Sequence, residues 1–284
     1  MKKSALLITP PLLVILIFGL VPLLVIVVWS FWTWDPLTYW IKPELSFAGY
    51  SGILEAGRWT VLLATLLKAL VAALLCVLIG YPTAYAIHFL SGRRLAMLLM
   101  ALITIPFFTS YLIRSFSWRL VLGRTGPVNE WLQAIGLIDA PLDWLLFSDF
   151  AVMVGLVASY LPFAAFPLIL AMRRVEPNLL AAAQDLGAGF WKALATVLLP
   201  LTLSGVFAGF LFVFVMVIGS STEVQMLGGA GASIVSVMIN DVMRVANFPL
   251  AFGISTCVLI IVLGLVLLGN QLFKLSKLFE DPSW

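Results

Sequence analysis

Residues 173–200 read RRVEPNLLAAAQDLGAGFWKALATVLLP, and this run decides how the rest of the chain is arranged. It is a polar interruption between two long apolar segments. Arg173, Arg174, Glu176, Asn178, Gln184, Asp185 and Lys192 make it costly to place inside a bilayer. Its pattern is nevertheless helical. Pro177 suits a first helical turn, and Leu179, Leu180, Ala183 and Leu186 follow at helical spacing. Gly187 and Gly189 are expected to stop that helix. A second short helix is expected from Phe190 to Leu199, ending at Pro200. Such a bent pair with an apolar ridge is shaped to be gripped by another protein. An ordinary interfacial loop is the plainer reading of the pattern.

Outside this run the chain is overwhelmingly apolar. Of its 284 residues 63% are hydrophobic and 10% charged, and its mean hydropathy is +1.13, more than a soluble domain of this size needs. Runs of about 20 apolar residues match a hydrocarbon core of roughly 30 Å, and only helices suit such continuous runs. The expected fold class is therefore all-α, a polytopic membrane protein with six transmembrane helices. The spans are Leu6–Trp29, Ala69–Leu90 (starting as early as Trp59), Leu95–Arg114, Phe150–Met172, Leu203–Ser221 and Phe248–Phe273. The first is too long for a signal peptide, and no small-residue cleavage site follows it. Residues 1–58 are read as an anchor helix and outer loop, and residues 59–284 as the transmembrane core carrying the 173–200 loop.

Basic residues orient the spans. With the N terminus inside, the inner segments hold nine bases: Lys2, Lys3, Arg93, Arg94, Arg173, Arg174, Lys192, Lys274 and Lys277. They hold four acids, Glu176, Asp185, Glu280 and Asp281. The outer segments hold six bases against nine acids, a formal balance of −3. Both termini and the 173–200 loop are thus expected to be cytoplasmic. Lys68 is expected near the outer start of span two, with its ammonium snorkelling to the interface. Cys76 and Cys257 both fall inside spans, where small apolar packing is the expected role. His88 is the single histidine, which excludes a multi-histidine metal site. A short inner turn is expected at Ser91-Gly92.

Aromatic residues Trp29, Trp32, Trp34, Tyr39 and Trp40 crowd the outer end of span one, as an interfacial belt does. Asp35 to Arg58 reads as an outer loop with short helical pieces. Gly80 and Pro82 imply a kink or tight packing in span two. Pro106, Thr109 and Ser110 in span three suit either a path lining or plain helix packing. Pro127 to Ile135 reads as a short helix opened by Gly126 and closed by Gly136. After span five a Gly-rich stretch leads to a helix from Ser233 to Val245 and a turn at Asn247-Phe248-Pro249.

Several chemistries have no motif here. There is no GxxxxGK[ST] phosphate loop, nor even a Gly-Lys pair, and no HExxH, CxxC or GxSxG. An enzyme is not expected. Ionisable groups are nearly absent from span centres, which disfavours a proton-coupled carrier.

The spacing inside the opening run is more specific than its composition. Ala182 and Ala183 are followed by Gly187 and then by Val197, Leu199 and Pro200. This resembles the cytoplasmic loop of ABC-importer membrane subunits, the permeases that work with a binding protein. Their pattern is Glu-Ala-Ala, three residues, Gly, nine residues, a β-branched aliphatic, one residue, Leu-Pro. The chain departs at Ala181, where the family has Glu. The resemblance implies a coupling helix seated in a groove on an ATPase subunit, with Ala181, Ala182, Ala183, Asp185, Gly187, Val197, Leu199 and Pro200 as coupling residues. It implies the MetI-like fold of type I importer permeases, in a bacterial inner membrane. It also implies an ATPase dimer that binds ATP and Mg, a second permease subunit and a periplasmic binding protein as partners. No cofactor is expected in this chain, and no nucleic acid.

From Pro106 to Pro141 the chain resembles the polyamine and opine branch of these permeases. Pro106-Phe107, Arg114 with Trp118, Gly126 with Asn129, and Gly136-Leu137-Ile138 carry that likeness, and Leu227-Gly228-Gly229 extends it. In polyamine permeases an acid often follows the glycine corresponding to Gly219. Here Ser220 stands there, and the nearest acid is Glu223. Tyr111, Arg114, Trp118, Glu223 and Asp241 are the candidate path residues. The negative outer balance favours an organic cation such as a polyamine. An anionic or zwitterionic solute such as an opine or phosphonate is the alternative. A stand-alone channel or secondary carrier is the alternative of another class.

Overall fold

Long apolar runs satisfy their backbone polar groups internally only as helices, and the computed structural model follows that rule. It describes residues 2–90, 92–229 and 232–273, with residues 2–8, 177 and 273 described by backbone alone. Ser91 of the expected inner turn and the C-terminal Lys274, Lys277, Glu280 and Asp281 lie outside the described residues. Among the described residues five helices are long and apolar enough to cross a bilayer: Thr9–Trp29, Arg58–Leu90, Asp149–Met172, Phe190–Gly219 and Phe248–Leu272. A bent pair, Arg93–Phe108 and Tyr111–Val121, with 104° between its halves, is apolar enough when taken together, and counting it as one broken span brings the number to six.

The chain divides into two compact units, Met1–Leu63 with Val235–Leu263, and Ala64–Ile234 with Gly264–Trp284. In the first unit, span one exposes every side chain from Thr9 to Val25, as a lipid-facing anchor does. A π-helical turn, Leu16–Leu20, sits just before Pro22. Proline lacks an N–H and crowds the carbonyl four residues back, and one extra residue in the turn relieves that crowding without breaking the helix. At the outer end Trp29 stacks on Trp32 at 5.4 Å, and Tyr50 donates to Ser30 Oγ at 2.7 Å.

The loop expected to hold only helical pieces begins instead with an antiparallel hairpin, Thr33–Asp35 paired with Trp40–Lys42. Pro36 biases Asp35 toward extended backbone, and Tyr39 turns the chain with φ of +53°. Helix Ala48–Leu54 follows, as expected. It packs so closely on the start of span six that a Cβ on Gly49 would lie 2.8 Å from the Pro249 carbonyl. The other outer helix of this unit runs Val235–Arg244. Asn247 then caps span six, its Oδ1 accepting from the Leu250 amide at 3.3 Å.

The hairpin carries its own ion pair, Lys42 Nζ to Asp35 Oδ2 at 2.9 Å. That ammonium, helped by the Leu37 amide, lowers the Asp35 pKa to about 2. A lowered carboxyl pKa stabilises the folded form above its unfolded value, near 3.9, and the contribution disappears as pH falls towards about 2. The group is exposed, so salt weakens the effect. Carbonyl-detected titration of the Lys42→Met protein is expected to return Asp35 upward toward the ordinary carboxylate range. An unchanged midpoint would refute the pairing.

In the second unit one core cluster among the described residues holds Ala84, Ile103, Ala165, Leu168, Ile169 and Met172, edged by Tyr81 and Tyr85. Spans four and five approach through glycines. A Cβ on Gly209 would lie 2.8 Å from the Ala164 carbonyl, and one on Gly205 2.8 Å from the Pro167 carbonyl while overlapping Ala171 Cβ. Small residues four apart let helix backbones meet where apolar lipid offers no hydrophobic drive. Gly80 likewise faces Leu168 at 3.2 Å, so tight packing is its role. Tyr81 donates to Thr202, which itself bonds the Leu198 carbonyl.

Span two begins at Arg58, next to the earlier of its expected starts, and Lys68 within it pairs at 2.6 Å with the exposed Asp149 that opens span four. Two boundaries differ from expectation. Span three is not one helix over Leu95–Arg114. Its helical path ends at Phe108, and Thr109 and Ser110 are extended, with ψ of 140° and 137°. Span five does not begin at Leu203. It runs unbroken from Phe190, so the expected second short helix of the loop is the N-terminal end of the span. Pro200 was expected to end that helix, but the π turn Leu194–Leu198 precedes it and carries the helix through.

Candidate functional site

The break in span three builds the site. Its polar hub is the Pro106 carbonyl, which accepts from Thr109 Oγ1 at 2.7 Å and from Arg114 Nη1 at 2.9 Å. Arg114 Nε also donates to Ser159 Oγ of span four at 3.0 Å. The guanidinium therefore ties the C-terminal half of the bent pair both to its N-terminal half and to span four. Opposite lies the short helix Thr222–Leu227, which follows span five and carries Glu223. Gly155 of span four lets this helix in. A Cβ there would overlap the Leu227 side chain and touch Glu223 Cβ at 3.8 Å.

Between these pieces is a cavity of about 540 Å3. Arg114, Tyr111, Ser159 and Tyr160 line it from one side, and Ser220 to Glu223 from the other. Phe107 and Phe163 add aromatic walls, their rings 5.4 Å apart. Glu223 is only 2% exposed. Its Oε2 accepts from Ser220 Oγ at 2.6 Å, and its Oε1 has no partner among the described residues. Neither Arg114 nor Glu223 forms an ion pair among the described residues. One cavity thus holds a base satisfied by neutral groups and an acid that is only half satisfied.

Of the five candidate path residues, Tyr111, Arg114 and Glu223 line this cavity. Trp118 lines a neighbouring, more apolar cavity of about 400 Å3 that shares Thr109 and Arg114 with the first. Asp241 belongs to the other unit, exposed and 3.8 Å from Arg244. Sequence reasoning missed the parts of Ser159, Tyr160 and Ser220. Two adjacent polar residues in an otherwise apolar span four were the available signal.

The loop at residues 173–200 forms the second feature. Its helix spans Pro177–Asp185 and ends at Gly187, whose φ is +84°. Gly187 N–H bonds the Gln184 carbonyl at 2.8 Å and Ala188 N–H the Ala183 carbonyl at 3.0 Å. This pair of bonds is a Schellman cap. Gly189 does not stop that helix. It is the extended N-cap of the Phe190–Ala193 turn. Ala181, Ala182, Asp185 and Gly187 are exposed, Ala183 is half-buried, and Val197, Leu199 and Pro200 lie on the N-terminal end of span five. Leu186 and Trp191 project as apolar knobs, 89% and 76% exposed. The loop is tied to span two, where His88 Nε2 donates to the Val175 carbonyl at 3.3 Å and Tyr85 packs edge-on to Phe190 at 5.8 Å.

The sequence profile of the binding-protein-dependent transport system inner membrane component family matches residues 76–277. The chain belongs to this family. The spermidine/putrescine transport system permease protein PotB of Escherichia coli K12 is 34% identical over 256 residues, 89% of this chain and 91% of that one. The inner membrane ABC transporter permease protein YdcU of the same organism is 28% identical, covering 86% and 82%. Among solved structures, a bacterial alginate ABC transporter in complex with an alginate pentasaccharide-bound periplasmic protein superposes with a TM-score of 0.72 at 18% identity. It covers 95% of this chain and 94% of its own. The MetNI methionine ABC transporter, inward facing, gives 0.51 at 16% identity, covering 78% and 98%. These two show the fold, that of ABC importer permeases. This family member is a multi-pass inner-membrane permease subunit of an ABC importer, and its relatives are transport proteins without enzymatic activity. The channel and carrier readings fall away with that membership.

Proposed function

We propose that this permease subunit passes a small solute bearing a protonated amine, of polyamine type, and that Glu223 meets the amine. The carrying observation is the buried Glu223 carboxylate on the cavity wall, with Oε1 unpartnered and no base paired to it. Aromatic faces nearby favour cations further. The outer excess of acids raises the local concentration of cationic solutes, and exposed Asp241 adds to that field. The spermidine/putrescine relatives point the same way. Arg114 lines the same cavity and favours the second reading, an anionic or zwitterionic solute such as an opine or phosphonate. Its bonds to Ser159 and Pro106 give it a structural task that needs no solute.

In this reading an ATPase dimer holding ATP and Mg grips the 173–200 loops of this subunit and of a second permease subunit. A periplasmic binding protein delivers solute at the outer face, and both termini are cytoplasmic. The coupling residues are Ala181 to Ala183, Asp185 and Gly187. Ala181 lacks the carboxylate that the family pattern carries there, so docking relies on knobs such as Leu186 and Trp191. ATP binding favours one of two arrangements of rigid helices, and hydrolysis restores the other.

The test is solute-stimulated ATP hydrolysis by the complete transporter in liposomes, with its binding protein loaded with spermidine or with a phosphonate. Glu223→Gln is expected to lower the spermidine response about tenfold, the equivalent of one charge-assisted contact of about 1.5 kcal/mol. Arg114→Gln should retain part of it. Stimulation by the anionic solute alone, abolished by Arg114→Gln alone, would overturn the cation reading.

A further inference from the structure

Two serines hold the two charges of the cavity. Ser159 of span four takes Arg114 directly, at 3.0 Å. Ser220, which follows span five, donates its Oγ to Glu223 Oε2 at 2.6 Å. A carboxylate only accepts, so the serine proton points to Glu223. The base and the acid thus have different partners, and the two are not ion-paired.

We infer that Ser220 is a positioning residue for solute selection, clamping one oxygen of Glu223 so that the other meets a single ammonium group. The inference rests on the reading of Glu223 as the group that meets the solute. Ser220 and Glu223 are 4% and 2% exposed, so water does not compete for the clamped oxygen. A carboxylate freed of Ser220 has two equivalent oxygens and can rotate toward the Arg114 side of the cavity. Clamped, it offers one acceptor in one direction.

Because the Ser220 hydroxyl acts through Glu223, its effect vanishes when that charge is gone, which a double-mutant cycle reads directly. The complete transporter in liposomes is assayed for ATP hydrolysis stimulated by putrescine on its binding protein. Ser220→Ala is expected to lower the stimulation about tenfold, while Ser220→Thr, which keeps the hydroxyl, retains most of it. Added to Glu223→Gln, Ser220→Ala should cause no further loss. An equal loss in both backgrounds, or no retention by threonine, would overturn the clamp. If Glu223→Gln lowers stimulation while Ser220→Ala is silent, the clamp alone fails. If Glu223→Gln is itself silent, the solute reading of Glu223 fails and the clamp falls with it.

Discussion

Gly187→Val is expected to cut solute uptake about tenfold or more while the assembled transporter continues to hydrolyse ATP. The cause is conformational, since no atom lies within 4 Å of where its Cβ would sit. At φ of +84° glycine closes the Schellman cap of the loop helix. A β-branched residue resists that conformation at a cost of about 1–3 kcal/mol. The chain escapes by unwinding the cap, which re-aims Leu186 and the Phe190 turn on either side of it. Membrane insertion involves none of these groups and should be intact. Asparagine tolerates left-handed backbone, so Gly187→Asn should keep most uptake. Radiolabelled uptake and phosphate release, measured on the same liposomes, separate coupling from hydrolysis. Normal uptake by the valine variant would end the case for a coupling loop.

Gly205→Val should fail earlier, at folding. Its Cβ would overlap Ala171 Cβ and lie 2.8 Å from the Pro167 carbonyl, both on span four. Backbone cannot give way as the end of a flexible side chain can, so spans four and five must separate. Overpacking of this kind costs typically about 1–3 kcal/mol, and more where backbone is the obstacle. Gly264→Ala in span six is the control, because nothing lies within 4 Å of it. Purified in detergent, the Gly205 variant should unfold at lower temperature and yield less monodisperse protein than the control. Equal stability of the two would show that the glycine contact is not needed.

The readable features were those that local chemistry dictates. Gly136 and Gly187 both cap helices with positive φ, at +72° and +84°, because each stands at the end of an amphipathic pattern that only glycine closes cheaply. The unread features depend on compensation between residues. Pro200 carries the ordinary signal of a helix end, and the π turn that cancels it has no composition of its own. The Trp34 to Trp40 stretch reads as an interfacial belt, yet Pro36 and Tyr39 fold it into a hairpin. The break at Thr109 and Ser110 was hidden because small polar residues and a proline also suit an unbroken packed helix. At the cavity, Arg114 and Glu223 were visible as charges in unusual places. The serines that hold them were not, since a serine in or beside a span announces no partner until the fold supplies one.

Span five runs 30 residues from Phe190 to Gly219, about 45 Å at 1.5 Å per residue, against a hydrocarbon core of roughly 30 Å. About a third of it therefore stands outside the apolar slab as a rigid arm whose tip begins beside the Gly187 cap. A flexible tether there would absorb force, whereas an uninterrupted helix converts a sideways stroke at the tip into a tilt of the whole rod. Its far end is Gly219, one residue before the serine that holds Glu223. On the proposed function, ATP-driven torque at one end and the grip on the solute near the other would be mounted on a single beam.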